Sequence, residues 1–323
     1  MITKVLEVDN HTVTTHFVLL GFPTRSAFQL LLFFVFLAIY LLTLVENFLI
    51  ILVIYSDGKL HKPMYFFLSN LSFLEMWYVT VISPKMQIDF LSHDKTISFN
   101  GCHILCAIQM FFFLFLICSH SFLLAAMGYD RYVAICDPLC YTVLMGHGVC
   151  VGLVAAACAC GFTVTQIITS LVFHLPFHSS NQLHHFFCDI SPVLKVASHH
   201  THFSQIVIIM LCALVLIIPL LLILVSYICI ISAILQFPST LGRYKAFSTC
   251  ASHLIIVIVH YGCASFIYLR LKSNYSSSQD ALISVSYTIL TPLFNPMIYS
   301  LRNKEFKSAL QRVVGRTICL SRH

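Results

Sequence analysis

The sequence predicts an all-α membrane protein, a seven-transmembrane helix bundle followed by a short amphipathic eighth helix. Of its 323 residues, 59% are hydrophobic and only 9% are charged, and the mean hydropathy is +0.90. A soluble globular domain carries about 25% charged residues, so this chain lacks the polar surface that water requires. The same composition excludes a disordered, collagen-like or coiled-coil chain. Seven apolar blocks are each long enough to cross a bilayer core of about 30 Å.

The seven blocks occupy residues 27–55, 64–88, 103–135, 149–172, 204–235, 246–269 and 281–300. The first is too long for the apolar region of a cleaved signal peptide, and no basic start precedes it, so we expect a signal anchor. After the last block, residues 304–314 alternate apolar and basic side chains at helical spacing, which indicates a helix along the membrane surface. We expect one domain over residues 1–323: an extracellular tail (1–26), the bundle (27–301), and a cytoplasmic helix 8 and tail (302–323).

Charge asymmetry predicts the orientation. With seven spans, one side of the membrane holds eleven basic and four acidic residues (+7), and the other holds seven basic and six acidic residues (+1). Because basic residues accumulate in cytoplasmic loops, the C-terminus should be cytoplasmic and the N-terminus extracellular. Asn10 and Asn274 begin glycosylation sequons on the predicted outer side. We therefore expect a multi-pass membrane glycoprotein.

The inner end of the third block carries a distinctive charged motif, Met127-Gly-Tyr-Asp-Arg-Tyr-Val-Ala-Ile-Cys136. Charges at a helix end near the membrane are costly unless they are paired or functional. One interpretation is an interfacial anchor in which Arg131 snorkels to the headgroups. The other is a charge-locked switch facing the cytosol.

This motif resembles the third-helix signature of the class II olfactory receptors, within the rhodopsin-like G-protein-coupled receptors. Three further motifs and a short one resemble the same family, in order along the chain. They are Pro63-Met-Tyr-Phe-Phe-Leu-Ser-Asn-Leu-Ser72, Ser226-Tyr227, Lys245-Ala-Phe-Ser-Thr-Cys-Ala-Ser-His-Leu254 and Pro292-Leu-Phe-Asn-Pro-Met-Ile-Tyr-Ser-Leu-Arg-Asn303. The resemblance covers nearly the whole chain.

The resemblance implies an odorant receptor, not an enzyme, that binds small volatile molecules and activates a stimulatory olfactory G protein to raise cyclic AMP. It implies no cofactor, no metal and no nucleic acid; the partners are the odorant, the heterotrimeric G protein and membrane lipid. By the same resemblance, Asp130 restrains Arg131 at rest, and the freed Arg131 helps to receive the G protein's α subunit. The implied coupling and switch residues are Asp130, Arg131, Tyr132, Tyr227, His253, Asn295, Pro296 and Tyr299.

Three polar residues, Asn47, Glu75 and Asn295, lie within three different spans. They predict either a structural hydrogen-bond network between helices or a switch that holds a proton or a sodium ion. The family usually has aspartate where Glu75 stands and glycine where Glu46 precedes Asn47. At both positions this chain differs from the family, so the family's ion-binding site is not carried over to it.

The family also has a disulfide between the top of the third helix and the second extracellular loop. Cys188 matches the loop partner, whereas both Cys102 and Cys106 match parts of the helix motif, since the chain carries four additional residues there. Cys106 has the family's spacing to Arg131, and an insertion is tolerated better in a loop than in a packed helix. We therefore favour Cys106, with Cys102 as the alternative. The same extracellular loop is rich in histidine. Histidine can bind metal ions and titrates near neutral pH, but the pattern here predicts neither a metal site nor a pH response.

The ligand of a helix bundle binds in a concave, mostly apolar site between helices. Counting helical turns outward from the inner motifs gives candidates on the third, sixth and seventh spans. They are Met110, Phe113, Leu114, Ile117, Cys118, Tyr261, Ser265, Tyr268, Val285 and Thr288. No acid or base is evident at mid-depth on the candidate face of the third span, so we expect an apolar or weakly polar ligand rather than an amine.

Two other function classes fit the sequence less well. A transporter or channel predicts several charged spans or paired broken helices in two related halves, and this chain has two glutamates within its spans and no evident repeat. An intramembrane enzyme predicts a nucleophile and base motif, which the spans do not contain.

Overall fold

Long helices dominate the computed structural model, which describes residues 16–19, 26–91, 96–174, 182–183, 190, 202–268, 288, 291–298 and 303–320. The helices are α1 (Ser26–Ser56), α2 (Pro63–Leu91), α3 (Phe99–Cys136), α4 (His147–Phe173), α5 (His202–Leu235), α6 (Thr240–Tyr268), α7 (291–298) and α8 (Lys304–Leu320). A 3₁₀ turn (Gly58–Leu60) links α1 to α2, and a single helical turn (Tyr141–Leu144) links α3 to α4. For α1 to α6 the bounds confirm the predicted blocks to within a few residues, except that α3 and α6 begin four and six residues earlier. Of the seventh block, 281–300, the structure describes only residue 288 and residues 291–298.

Within the described residues, α1 to α5 are each long and apolar enough to cross a membrane. In an α-helix the backbone N–H and C=O groups bond to each other, so none needs a water molecule. A hydrocarbon environment requires this. α1 and α5 present large apolar side chains outward, among them Phe34, Phe48, Ile209 and Ile217. Among the described residues these faces have no packing partner, as expected for surfaces in contact with lipid.

α3 is the central helix of the bundle. In its most apolar stretch 78% of the residues are buried, against 22% in α4 and in α5. It packs against α2, α4, α5 and α6. A side chain on α3 can therefore contact any of four helices, depending on the face it occupies.

α3 and α4 approach closely at Gly161. A methyl group at Gly161 would lie 2.5 Å from Ser119 Oγ, 3.1 Å from the Ser119 nitrogen and 3.2 Å from the Phe115 oxygen. Small residues at helix contacts allow such close packing in membranes. Glycine is therefore required here by space rather than by backbone angle.

The first helical turns of α3 correct one expectation. The preference for Cys106 assumed that the additional residues are accommodated in a loop, but α3 begins at Phe99 and includes both Cys102 and Cys106. Cys106 is disulfide-bonded. Cys188 lies outside the described residues, so its pairing with Cys106 stays a prediction.

A small three-stranded sheet, which the sequence analysis did not predict, accompanies the helices. β1 (His16–Leu19) pairs antiparallel with β2 (Thr96–Ser98) and parallel with β3 (Gln182–Leu183). The strands precede α1, precede α3 and follow α4, so they share the extracellular end of an up-and-down bundle. Strands of two to four residues are too short to show a periodic pattern, which explains the omission.

At the opposite end, α8 packs against the turn between α1 and α2. Lys62 Nζ lies 2.9 Å from Glu305 Oε2, and Arg312 Nε donates to Asp57 Oδ2 at 2.8 Å. Phe306 is buried in this contact. Hydrogen bonds from the Arg312 side chain, and then from the Lys59 backbone, hold the pKa of the Asp57 carboxyl below its usual value. The amphipathic helix predicted over 304–314 is confirmed and continues to Leu320.

Candidate functional site

The charged motif of α3 forms a buried cluster at the cytoplasmic end. Arg131 Nη2 lies 3.1 Å from Asp130 Oδ2, and only 9% of Arg131 is exposed. The Tyr141 hydroxyl, from the turn after α3, donates to Asp130 Oδ1 at 2.8 Å. Burial, followed by the charge of Asp130, raises the pKa of Tyr141, which keeps the hydroxyl protonated as the donor. Asp130 therefore has two stabilising neighbours, of which the sequence analysis named only Arg131.

A second link joins α3, α5 and α6 next to this pair. His253 Nε2 lies 3.1 Å from the Leu124 carbonyl oxygen, and the Tyr227 hydroxyl lies 2.9 Å from His253 Nδ1. A carbonyl can only accept, so Nε2 carries the hydrogen, and Nδ1 of the neutral ring accepts from Tyr227. The two rings stack with an interplanar angle of 8°. The structure thus brings two predicted switch residues into direct contact.

The other predicted switch residues are only partly described. Asn295 and Pro296 are buried in α7, and Tyr132 is half-buried on α3. Tyr299 lies outside the described residues.

Of the three predicted buried polar residues, two meet and one does not. Asn295 Nδ2 donates to Glu75 Oε1 at 2.6 Å, which joins α7 to α2. Asn47 instead donates to the Thr43 carbonyl on its own helix at 3.0 Å. The Glu75 and Asn295 pair extends through a residue that the sequence analysis missed, since His120 Nε2 lies 2.9 Å from the same Glu75 oxygen.

His120 leads to a second missed residue, His260 on α6. The two imidazole rings stack with centroids 4.5 Å apart and planes 27° apart. His260 Nε2 in turn lies 3.0 Å from Ser121 Oγ. A cavity of about 20 Å³, lined among others by Glu75, His120, His260 and Thr291, adjoins the cluster.

His120 corrects the expectation that no acid or base lies at mid-depth on the candidate face of the third span. His120 shares a cavity wall with the candidate Ile117. A single imidazole within an apolar run gives no periodic signal, and only its contact with Glu75 across helices reveals its role. The available signal was the cost of any ionisable side chain within a span.

The candidate ligand residues on α3 are buried but face different neighbours. Met110, Phe113, Leu114 and Ile117 belong to the packed core. Phe113 stacks on Tyr78 of α2, with ring centroids 5.5 Å apart. Cys118 interacts with Thr165 of α4.

The candidates on the sixth and seventh spans are described only in part. Tyr261 is buried, and its hydroxyl has no hydrogen-bond partner among the described residues. Thr288 is buried too. Ser265 and Tyr268 lie in α6, but their side chains, like all of Val285, fall outside the description.

The extracellular predictions also fall largely outside the described residues. Asn10, Asn274 and most of the histidine-rich loop lie there. In the part of the chain that the structure describes, no three His, Cys, Asp or Glu side chains form a group able to hold a metal ion.

Comparison with known proteins gives a consistent assignment. The family model described as "Olfactory receptor" matches residues 36–317. The chain belongs to the olfactory receptor family. Human olfactory receptor 10K2 is 74% identical over 315 residues, which cover 98% of this chain and 100% of the relative. Human olfactory receptor 10K1 is 70% identical over 97% of this chain and 98% of its own.

A more distant relative also matches over nearly its full length. Human olfactory receptor 6Y1 is 54% identical over 314 residues, which cover 97% of this chain and 95% of the relative. Membership of the olfactory receptor family makes the chain a G-protein-coupled receptor with a seven-transmembrane bundle in the cell membrane, and not an enzyme. The predicted fold, class and location are thereby confirmed.

Proposed function

We propose that this olfactory receptor binds small volatile, mostly apolar molecules in the outer half of the bundle and activates a stimulatory olfactory G protein, which raises cyclic AMP. The observation that supports coupling most directly is the buried Asp130–Arg131 pair, with Tyr141 donating to Asp130 at 2.8 Å. A buried arginine paired with a neighbouring carboxylate at a cytoplasmic helix end suits a charge that is released on activation.

The arrangement of α6 supports the same proposal. His253 on α6 is tied to Leu124 on α3 and to Tyr227 on α5, which holds the cytoplasmic end of α6 against the bundle. Outward movement of α6 has to break the contact with the Leu124 carbonyl. The vacated space would expose Arg131 to the C-terminal helix of the G protein's α subunit.

The proposed class of ligand follows from the chemistry of the described candidate residues. Met110, Phe113, Leu114 and Ile117 offer buried apolar side chains. The Tyr261 hydroxyl, which has no hydrogen-bond partner within the described part of the chain, can donate to an oxygen atom of a ligand. An amine is disfavoured because Glu75, the carboxylate of this region, already accepts from His120 and Asn295. Esters, ketones, alcohols and terpenoids fit this environment.

The test is cyclic AMP production in cells that display the receptor together with the olfactory G protein, across a broad odorant panel. We expect a dose-dependent rise with the wild type and its loss with Arg131→Ala at equal surface display. Lys59→Ala is the control, since it removes an exposed cytoplasmic lysine and should leave the response unchanged. A full response from Arg131→Ala would contradict the proposed coupling role.

A further inference from the structure

The buried cluster of Glu75, His120, His260 and Asn295 joins α2, α3, α6 and α7 at the middle of the bundle. Each of the four side chains is at most 7% exposed. A carboxylate at this depth requires a counter-charge. The titratable side chains that line or touch the cluster, within the described residues, are Glu75 and Tyr78 from α2, His120 from α3, and His260 and Tyr261 from α6. From α7 the lining is uncharged.

Hydrogen-bond accounting assigns the protons. Asn295 Nδ2 can only donate, so Glu75 Oε1 accepts from it and also from His120 Nε2. Ser121 Oγ donates its single hydrogen to the Ile117 carbonyl, so it accepts from His260 Nε2. His260 is thus satisfied as a neutral ring, and a second charge stacked 4.5 Å from a charged His120 would be repulsive.

The charge balance then depends on one proton. A Glu75 carboxylate beside a neutral His120 leaves the cluster with one uncompensated negative charge in a low-dielectric environment. One added proton, held on His120 and shared toward Glu75 over 2.9 Å, makes the cluster neutral. Hard metal cations prefer several oxygen ligands. Here one of the two Glu75 carboxylate oxygens, Oε1, already accepts from two N–H donors, and much of the remaining lining is imidazole and aliphatic.

We propose that Glu75 and His120 form a proton-binding site, in which the proton on His120 is the built-in counter-charge of the buried carboxylate and holds α2, α3 and α7 in the arrangement seen here. Asn295 positions the Glu75 carboxylate for this pairing, and His260, on α6, stacks on the imidazole ring of His120. The adjoining cavity has room for about one water molecule. The site therefore takes a proton in the position where a separate cation would otherwise be needed.

The test uses purified full-length receptor in lipid nanodiscs, with Tm measured from about pH 5.5 to about pH 8.5. We expect a nearly flat profile for the wild type, because the pair keeps its proton. His120→Gln retains a donor to Glu75 but cannot carry a charge. Its Tm should fall as pH rises, by about 5 °C or more across the range, because the isolated carboxyl is stable in the bundle only when protonated.

The double variant distinguishes charge from hydrogen bonding. Glu75→Gln in the His120→Gln background removes the uncompensated charge, so it should restore a flat profile and most of the lost Tm. His61→Gln, which changes an exposed cytoplasmic histidine, is the matched control and should follow the wild type. Absence of rescue by Glu75→Gln, or a His120→Gln profile as flat as the wild type, would overturn the proposal.

A separate experiment tests whether the site binds a metal cation. Replacing about 0.15 M NaCl by choline chloride keeps the ionic strength constant, and the wild-type Tm should not change. A fall in Tm on removal of sodium would show that the carboxylate binds a metal cation in place of the proton. These readouts measure stability and do not depend on the odorant or the G protein.

Discussion

Gly161 provides a prediction in which one substitution has opposite effects at two places on the same helix. At Gly161 an added methyl group would lie 2.5 Å from Ser119 Oγ and 3.1 to 3.2 Å from backbone atoms of α3. At Gly152, also on α4, nothing lies within 4 Å of the added methyl. Alanine is a better helix former than glycine by about 1 kcal/mol. Gly152→Ala should therefore leave stability unchanged or raise it slightly.

The cost at Gly161 follows from the distances. Ordinary carbon contacts are about 3.5–4.0 Å, so the Ser119 hydroxyl must turn away and the α3 backbone must retreat by several tenths of an ångström. Overpacking of this kind costs about 1–3 kcal/mol, which exceeds the propensity gain. We expect Gly161→Ala to lower the Tm of the solubilised receptor by several degrees and to reduce surface display.

A second substitution separates the two contributions to this clash. Ser119→Ala removes the hydroxyl contact at 2.5 Å but leaves both backbone contacts of the Gly161 methyl. The double variant should therefore recover part of the lost Tm and not all of it. Equal Tm values for Gly161→Ala and Gly152→Ala would refute the close packing of α3 and α4 described above.

Three further predictions concern single contacts. Tyr261→Phe should weaken the response to odorants that carry an oxygen atom by up to about tenfold and leave hydrocarbon odorants unaffected, as read from dose–response curves. Tyr141→Phe removes the neutral donor to Asp130 and favours the uncharged carboxyl, so basal cyclic AMP should rise; an unchanged baseline at equal display would contradict this. Because Arg312 holds the pKa of Asp57 low, the contact between them is present at neutral pH and is lost as pH falls below about 4. Asp57→Asn should reproduce that loss at pH 7, measured as a longer distance between spin labels on α8 and on the α1–α2 turn.

The sequence predicted the helices well because hydrophobic runs ended by polar residues determine where a chain can cross a membrane. The first block was expected at 27–55, and α1 spans Ser26–Ser56. The surface helix was recognised from its amphipathic spacing, and α8 begins at Lys304 as expected. The three strands of the extracellular sheet depend on pairing between distant segments, which local patterns do not reveal.

The polar core could be predicted only in part, for a related reason. Glu75 and Asn295 were recognised as costly residues within spans, and they do form a direct hydrogen bond. Asn47 was grouped with them on the same criterion, but its side-chain amide donates within α1. The partners of a buried polar group depend on helix rotation and packing. His120 and His260 became identifiable as partners only when four helices were placed together.

The family resemblance marks four residues near the start of α3 as additional, and helix geometry explains how such an insertion can be absorbed. An α-helix completes a turn every 3.6 residues, so four residues return the chain to nearly the same face, about 40° further round and about 6 Å further along. Cys102 and Cys106 both belong to α3 and lie four positions apart. The disulfide-bonded Cys106 keeps a separation of 25 residues from Arg131, so every face between them has the register it would have without the insertion. An insertion on the extracellular side of Cys106 lengthens α3 at that end, so the spacing of Ile117, His120 and Arg131 from Cys106 does not depend on it.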